Sequence, residues 1–383
     1  MSSDLSLFWS SDDFRVDGIP YAGLPIFVHG ETMRIEFLPT EYSIHRCVVR
    51  GRARSAKTWK DCGYALAAFL RFMISQGFDW RHPDPQRIEE QLAHYRNHLE
   101  ARGLVRGRIK RVMQIICDFY EWSLQYGYID ELPLTYESVT LAYKGKLAHV
   151  NPGRLSARAI LMPKTPRRRR YPRYFDRQQQ NQIAGLLSER DRLIVEWALY
   201  TGAREFEISN LRVNDIPPQS VYRSRRAYQL KLIRKGGGVG YLCVPTWLLD
   251  KTHQYIRFFG RRATARATIE RRGNVADNIF LSRWGEPLRP DSIYRNFKTA
   301  LKQSGLEGVF HDLRHTYAIS MLDKLMRQAR HAHTDGLNAL HELSVLMGHA
   351  STSSTRIYLM ARQFYLSEID SDIFDLPEQY AHE

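Results

Sequence analysis

Six residues in the second half of this chain have the types and the order needed to attack a phosphate ester: Arg204, Lys235, His311, Arg314, His349 and Tyr358. They fall in four islands. Thr201–Gly202–Ala203–Arg204–Glu205–Phe206–Glu207–Ile208 sets an arginine just past a glycine that ends an apolar helix, with Glu207 near enough to brace it. Lys235 stands at the tip of a glycine-rich hairpin. His311–Asp312–Leu313–Arg314–His315 opens a further helix. Leu346–Met347–Gly348–His349 leads through a Ser/Thr capping region, Ser351 to Ser354, into a short helix bearing Tyr358.

The chemistry follows from what a phosphodiester demands. Its transition state is a five-coordinate phosphorus whose non-bridging oxygens carry extra negative charge. Two guanidiniums, Arg204 and Arg314, can each grip those oxygens through paired and permanently charged donors. A tyrosine hydroxyl ionises only near pH ~10. Neighbouring cations favour its phenolate, and His311 is placed to help take the proton. The leaving sugar oxygen is strongly basic, so Lys235 suits a general acid, with Lys231 on the same hairpin as its competitor. His349 would donate to the phosphate, and His315 is read as a packing residue beside the helix. No metal or cofactor is called for, because arginines supply the charge that Mg²⁺ supplies elsewhere.

These residues need elements to hold them. A helix is expected at about 177–188, then a nearly all-apolar one at 191–201 (Leu193, Ile194, Val195, Trp197, Leu199), which belongs in the core. Tyr228 to Arg234 and Tyr241 to Val244 flank Gly236–Gly237–Gly238 and predict a β-hairpin with a flexible tip. Helices dominate from there to about residue 364. Upstream, Leu66, Phe69, Leu70 and Met73, and then Ile109, Val112, Met113 and Ile116, follow helical spacing, with breaks at Gly77, Pro83–Pro85 and Gly103. That pattern predicts a small helical bundle. Residues 1–52 alternate around turn signals and are expected to form short strands or an ordered arm.

Bulk properties narrow the partner. Lys and Arg number 56 against 41 Asp and Glu, a net charge of +15, which points first to nucleic acid. Between Ser138 and Phe175 there are ten Lys or Arg and no acid, ending in Arg167–Arg168–Arg169–Arg170 and Arg173. This stretch is expected to be an extended connector lying along phosphates. The scattered cysteines Cys47, Cys62, Cys117 and Cys243 form no CxxC pair, which argues against zinc or a disulfide framework and fits a reducing cytoplasm. His331, His333 and His341 lie in a long interval between Arg314 and His349, whose extra residues, around 323–340, are expected to be an exposed excursion or a protein-contact element rather than a metal site.

The ordered set Arg204, Lys235, His311–Asp312–Leu313–Arg314, Gly348–His349 and Tyr358 resembles that of the tyrosine recombinases, the phage-integrase family. Tyr358 follows His349 by nine residues, the interval the family pattern expects. Where the family usually shows Gly-Lys-Gly, Arg234 here precedes the lysine. The resemblance implies a mainly α chain with a small β-hairpin. Its parts would be an N-terminal extension at 1–52, a helical core-binding domain at 53–140, a basic linker at 141–175, a catalytic domain at 176–366 and a tail at 367–383. The family fold would close on the duplex as a C-shaped clamp. Tyr358 would form a 3′-phosphotyrosyl link and free a 5′-hydroxyl, without ATP. The partners implied are double-stranded DNA and further copies of the chain, a tetramer at synapsis and a monomer when free, with DNA-bending or partner recombinases as accessories. Three alternatives stay open: a type IB topoisomerase, a catalytically idle regulator on the same fold, and an RNA-binding protein explained by basicity alone.

Overall fold

In a computed structural model of the chain, the described residues are 5–51, 56–83, 87–131, 136–141, 154–159, 171–234, 238–258, 260–331, 336–348 and 355–366. The chain divides into two compact units, Met1–Arg168 and Arg169–Glu383.

In the first unit, β1 (Leu5–Trp9) pairs antiparallel with β4 (Pro25–His29), and the short β2 (Arg15–Val16) and β3 (Ile19–Pro20) form a ribbon between them. Helix α1 (Phe37–Ile44) follows, running into a single π-turn at His45–Val49. Then come α2 (Ala56–Ser75), α3 (Ile88–Ala101) and α4 (Arg106–Gln125). The apolar stripes expected from spacing are the core. Leu66, Phe69, Leu70 and Met73 of α2 pack in one cluster with Ile109, Met113, Ile116 and Phe119 of α4.

The N-terminal segment shares that core. Leu5, Phe27 and Tyr42 are buried in it, the Tyr42 hydroxyl donates to the Ile115 carbonyl (3.2 Å), and Arg71 Nε donates to the Leu5 carbonyl (2.7 Å). The segment thus forms the short strands expected of it and shares the core of the helices that follow. Helix α1 was not foreshadowed, because its anchors lie far along the chain. The expected connector also differs in part. Tyr136–Leu141 (β5) and Arg154–Ala159 (β6) pair antiparallel, Tyr136 opposite Ala159, so backbone hydrogen bonding organises some of this basic stretch. Arg167 to Arg170 and the tail at 367–383 lie outside the described residues.

The second unit begins with α5 (Arg177–Gly185), opened by an Asp176 capping box, and α6 (Glu189–Thr201), opened by Ser188. Next are α7 (Glu205–Ser209), α8 (Gln219–Tyr222) and a hairpin of β7 (Ala227–Ile233) with β8 (Val239–Pro245), Leu230 opposite Leu242. Helices α9 (Thr246–Arg257), α10 (Gly260–Arg272), α11 (Pro290–Gln303), α12 (His311–His331), α13 (Gly336–Met347) and α14 (Ile357–Leu366) complete it. As its composition predicts, α6 is central: Trp197 is fully buried and its indole N–H donates to Thr252 Oγ1 (3.1 Å). The long interval after Arg314 is built from an extended α12 and the start of α13. Residues 332–335, including His333, lie outside the described residues, and His341 is exposed. Among the described residues no helix is long and apolar enough to cross a membrane.

Candidate active site

Helix α6 stops at Gly202, whose φ of +68° is a left-handed conformation that terminates helices and favours glycine. A side chain there would also collide with Tyr317, since a Cβ would lie 2.6 Å from its Cδ1. The sharp stop delivers Arg204 to the start of α7. There Glu207, fully buried at its side chain, accepts from the Arg204 backbone N–H (2.9 Å) and from its guanidinium (3.0 Å). The expected brace is thus in place, holding Arg204 through main chain and side chain together.

Arg314 lies on the first turn of α12 and is only 2 % exposed. Its two terminal nitrogens donate to the carbonyls of Gly202 and Met347, the latter at 2.6 Å. A carbonyl at the end of α6 and another at the end of α13 are thereby tied to one planar fork. Burial, and after it the nearby Arg204, pushes Arg314 down to about 10, so it stays charged at neutral pH.

Tyr358 sits on α14 with its ring buried among Tyr317, Leu343 and Met347. One turn on, Arg362 pairs with Asp323 of α12 (2.7 Å), anchoring the helix that carries the tyrosine. The hydroxyl of Tyr358 meets Nδ1 of His315 at 3.0 Å. Burial raises the Tyr358 hydroxyl above its usual value, and Arg314 and Arg204 oppose that rise without cancelling it. The cations favour the phenolate, as expected, but burial outweighs them, so ionisation needs a base.

His311 stacks edge-on against His315, ring centroids 4.8 Å apart. Burial pushes His311 down to about 4, assisted by His315, Arg314 and Arg204. It is neutral at working pH. The sign of its effect on stability follows. The unfolded chain takes up this proton below about 6.5, whereas the folded chain resists until about 4, so the contribution is whole above 6.5 and is lost as the pH falls toward 4. His311→Gln should flatten the fall in urea midpoint across that window. Parallel curves for variant and wild type would contradict this.

Four of the six expected residues, Arg204, His311, Arg314 and Tyr358, are described in the structure and belong to one site. Lys235 and His349 lie outside the described residues, although their neighbours Arg234 and Gly348 are in contact range of each other. Arg173 donates to Glu307 (3.3 Å) and lines a cavity of about 610 Å³ that also reaches Lys298, Asp312 and His315. Two residues make contacts at this site that the sequence reading did not give them. His315, read as packing, touches the Tyr358 hydroxyl that His311 was expected to serve. Its i, i+4 relation to His311 was the available signal, since that spacing puts both imidazoles on one helix face. Arg234, read only as a departure from the family turn, donates to Glu207 Oε1 at 3.2 Å.

The sequence profile of the phage integrase family matches residues 260–363, the span holding His311, Arg314, His349 and Tyr358. The match to the phage integrase family is confined to that stretch, about a quarter of the chain. It is 28 % identical over 182 residues to the tyrosine recombinase XerA of Pyrococcus furiosus, an alignment covering 47 % of this chain and 53 % of that protein. It is 24 % identical over 274 residues to XerC of Listeria innocua, covering 69 % and 74 %. The chain thus spans about half the length of the first relative and three quarters of the second. In fold, the chain is similar to a crystal structure of lambda integrase bound to DNA, with a TM-score of 0.56, 16 % identity and coverage of 87 % and 98 %. It is similar also to the XerH site-specific recombinase in a post-cleavage complex, with a TM-score of 0.55, 16 % identity and coverage of 87 % and 85 %.

Proposed function

We propose that the protein is a site-specific DNA recombinase that breaks and rejoins strands through a 3′-phosphotyrosyl link at Tyr358. The observation that carries this reading is the Tyr358 hydroxyl held 3.0 Å from His315 Nδ1, beside the buried guanidinium of Arg314. His315 accepts the phenolic proton as the oxygen attacks phosphorus. Arg204 and Arg314 balance the charge that grows on the non-bridging oxygens, and the leaving 5′-oxygen takes a proton from the Lys235 ammonium. His349 donates to the phosphate. The ester bond energy is kept in the phosphotyrosine, so a second 5′-hydroxyl reverses the step on a new partner strand without ATP.

Double-stranded DNA is the substrate, and pairing two sites requires several copies of the chain, four at synapsis. XerH was solved on its palindromic difH substrate, and lambda integrase bound to DNA and as a dimer on a core site. Arg167 to Arg170 contribute phosphate contacts that carry no sequence information. Replacing all four by glutamine should lower affinity for all sequences alike and reduce the salt slope by about 0.9 per lost contact. An unchanged slope would show that these arginines make no phosphate contacts.

The test of the function is covalent trapping on nicked duplexes drawn from DNA flanking the gene, in EDTA. A protein–DNA adduct supports strand transfer, and joining of two sites rather than relaxation of supercoils separates recombination from topoisomerase action. A site bound tightly yet never cleaved would favour the idle regulator.

A further inference from the structure

Glu207 does not serve Arg204 alone. We propose that Arg234 is a positioning residue of this site: by sharing the Glu207 carboxylate it sets how Arg204 presents its charge to the phosphate. The proposal rests on the functional reading above and adds a third arginine to it.

Arg234 stands where β7 ends, and its backbone N–H closes the hairpin on the Gly238 carbonyl (2.7 Å). The side chain folds back along the hairpin. Nη2 donates to the Tyr241 carbonyl (2.6 Å) and Nη1 to Glu207 Oε1 (3.2 Å), the same oxygen that takes Arg204 at 3.0 Å. Two glycines flank it closely. A Cβ on Gly240 would lie 2.5 Å from Arg234 Nε, and a Cβ on Gly348 would lie 3.1 Å from its Cζ. Its Nε is buried and has no hydrogen-bond partner among the described residues. A guanidinium is seldom enclosed this way for packing alone, because desolvating a charge is costly.

The electrostatic consequence is specific. One carboxylate lies among three guanidiniums, Arg204, Arg234 and Arg314. If Arg234 were absent, Glu207 would be free to neutralise Arg204 fully. With Arg234 drawing on the same oxygen, Arg204 keeps more of its charge for an incoming phosphate. The Glu207–Arg234 ion pair also ties the tip end of β7 to α7, while Gly348 lies against the same guanidinium.

The experiment compares trapping rates on a phosphodiester and on a methylphosphonate, where one non-bridging oxygen is a methyl group and the phosphate charge is gone. Arg234→Gln should slow the phosphodiester reaction about a hundredfold, the scale of losing one oxyanion donor, and the methylphosphonate reaction less than about threefold. DNA affinity should hold. Arg234→Gln on a Glu207→Gln background should add no further loss. Should Arg234→Gln fold poorly, Gly240→Ala displaces the guanidinium without removing it and should show the same substrate selectivity. Equal losses on both substrates, or additive losses in the double variant, would overturn the proposal. A wild-type protein that binds its site and never cleaves would overturn the functional reading instead. In that case thermal unfolding of the two single variants and the double variant reads the Arg234–Glu207 link directly, with non-additive melting shifts expected and additive ones contradicting it.

Discussion

Tyr358→Phe should bind its DNA site with wild-type affinity and lose covalent cleavage by roughly 10⁴-fold or more, the scale on which enzymes lose a nucleophile. The two effects separate because the residue has two jobs. Its ring is core, packed with Tyr317, Leu343 and Met347, and phenylalanine keeps that packing. Its hydroxyl bonds His315 Nδ1 at 3.0 Å and is the only atom removed. The cost in stability should be about 1 kcal/mol, one hydrogen bond's worth. Binding and cleavage measured on the same nicked duplex would check this. Residual cleavage near the wild-type rate would mean another nucleophile.

Arg314→Lys should be the second large effect, although charge is conserved. Lysine cannot fork to two carbonyls, so one of Gly202 and Met347 would lose its donor in a buried setting. That alone should cost about 1–3 kcal/mol of stability. On the proposed function, cleavage should fall about 10³-fold, because the fork aligns the ends of α6 and α13 around the phosphate that Arg314 is proposed to serve. Unfolding midpoints and trapping rates read the two effects separately. A lysine variant within a few fold of wild type would show that Arg314 acts as a simple point charge.

Much of this was legible in the sequence, for reasons that can be named. Helix α6 was readable because a core helix that must end abruptly needs apolar residues on nearly every face and then a glycine, which Gly202 supplies at φ +68°. The β7–β8 hairpin was readable because strands flank a glycine run. The order and interval of the candidate site residues could be read because chemistry constrains residue type more tightly than packing does. The missed features depend on partners distant in the chain. Helix α1 is fixed by Tyr42 reaching Ile115, 73 residues away, which no local period encodes. Part of the basic stretch forms β5–β6, because cross-strand backbone bonds are indifferent to the charges that suggested a connector. The contacts of His315 with Tyr358 and of Arg234 with Glu207 were missed because each emerges only when α14 docks on α12 and when the hairpin folds over α7.

The most direct test of Tyr358 as the nucleophile is to map the linked residue itself. Wild-type protein trapped on a suicide duplex would be digested with nuclease and trypsin and sequenced by mass spectrometry. The account predicts a 3′-phosphonucleotide on Tyr358 in the short peptide from Ile357 to Arg362. A nucleotide on any other residue, or a bound site that yields no adduct at all, would contradict it.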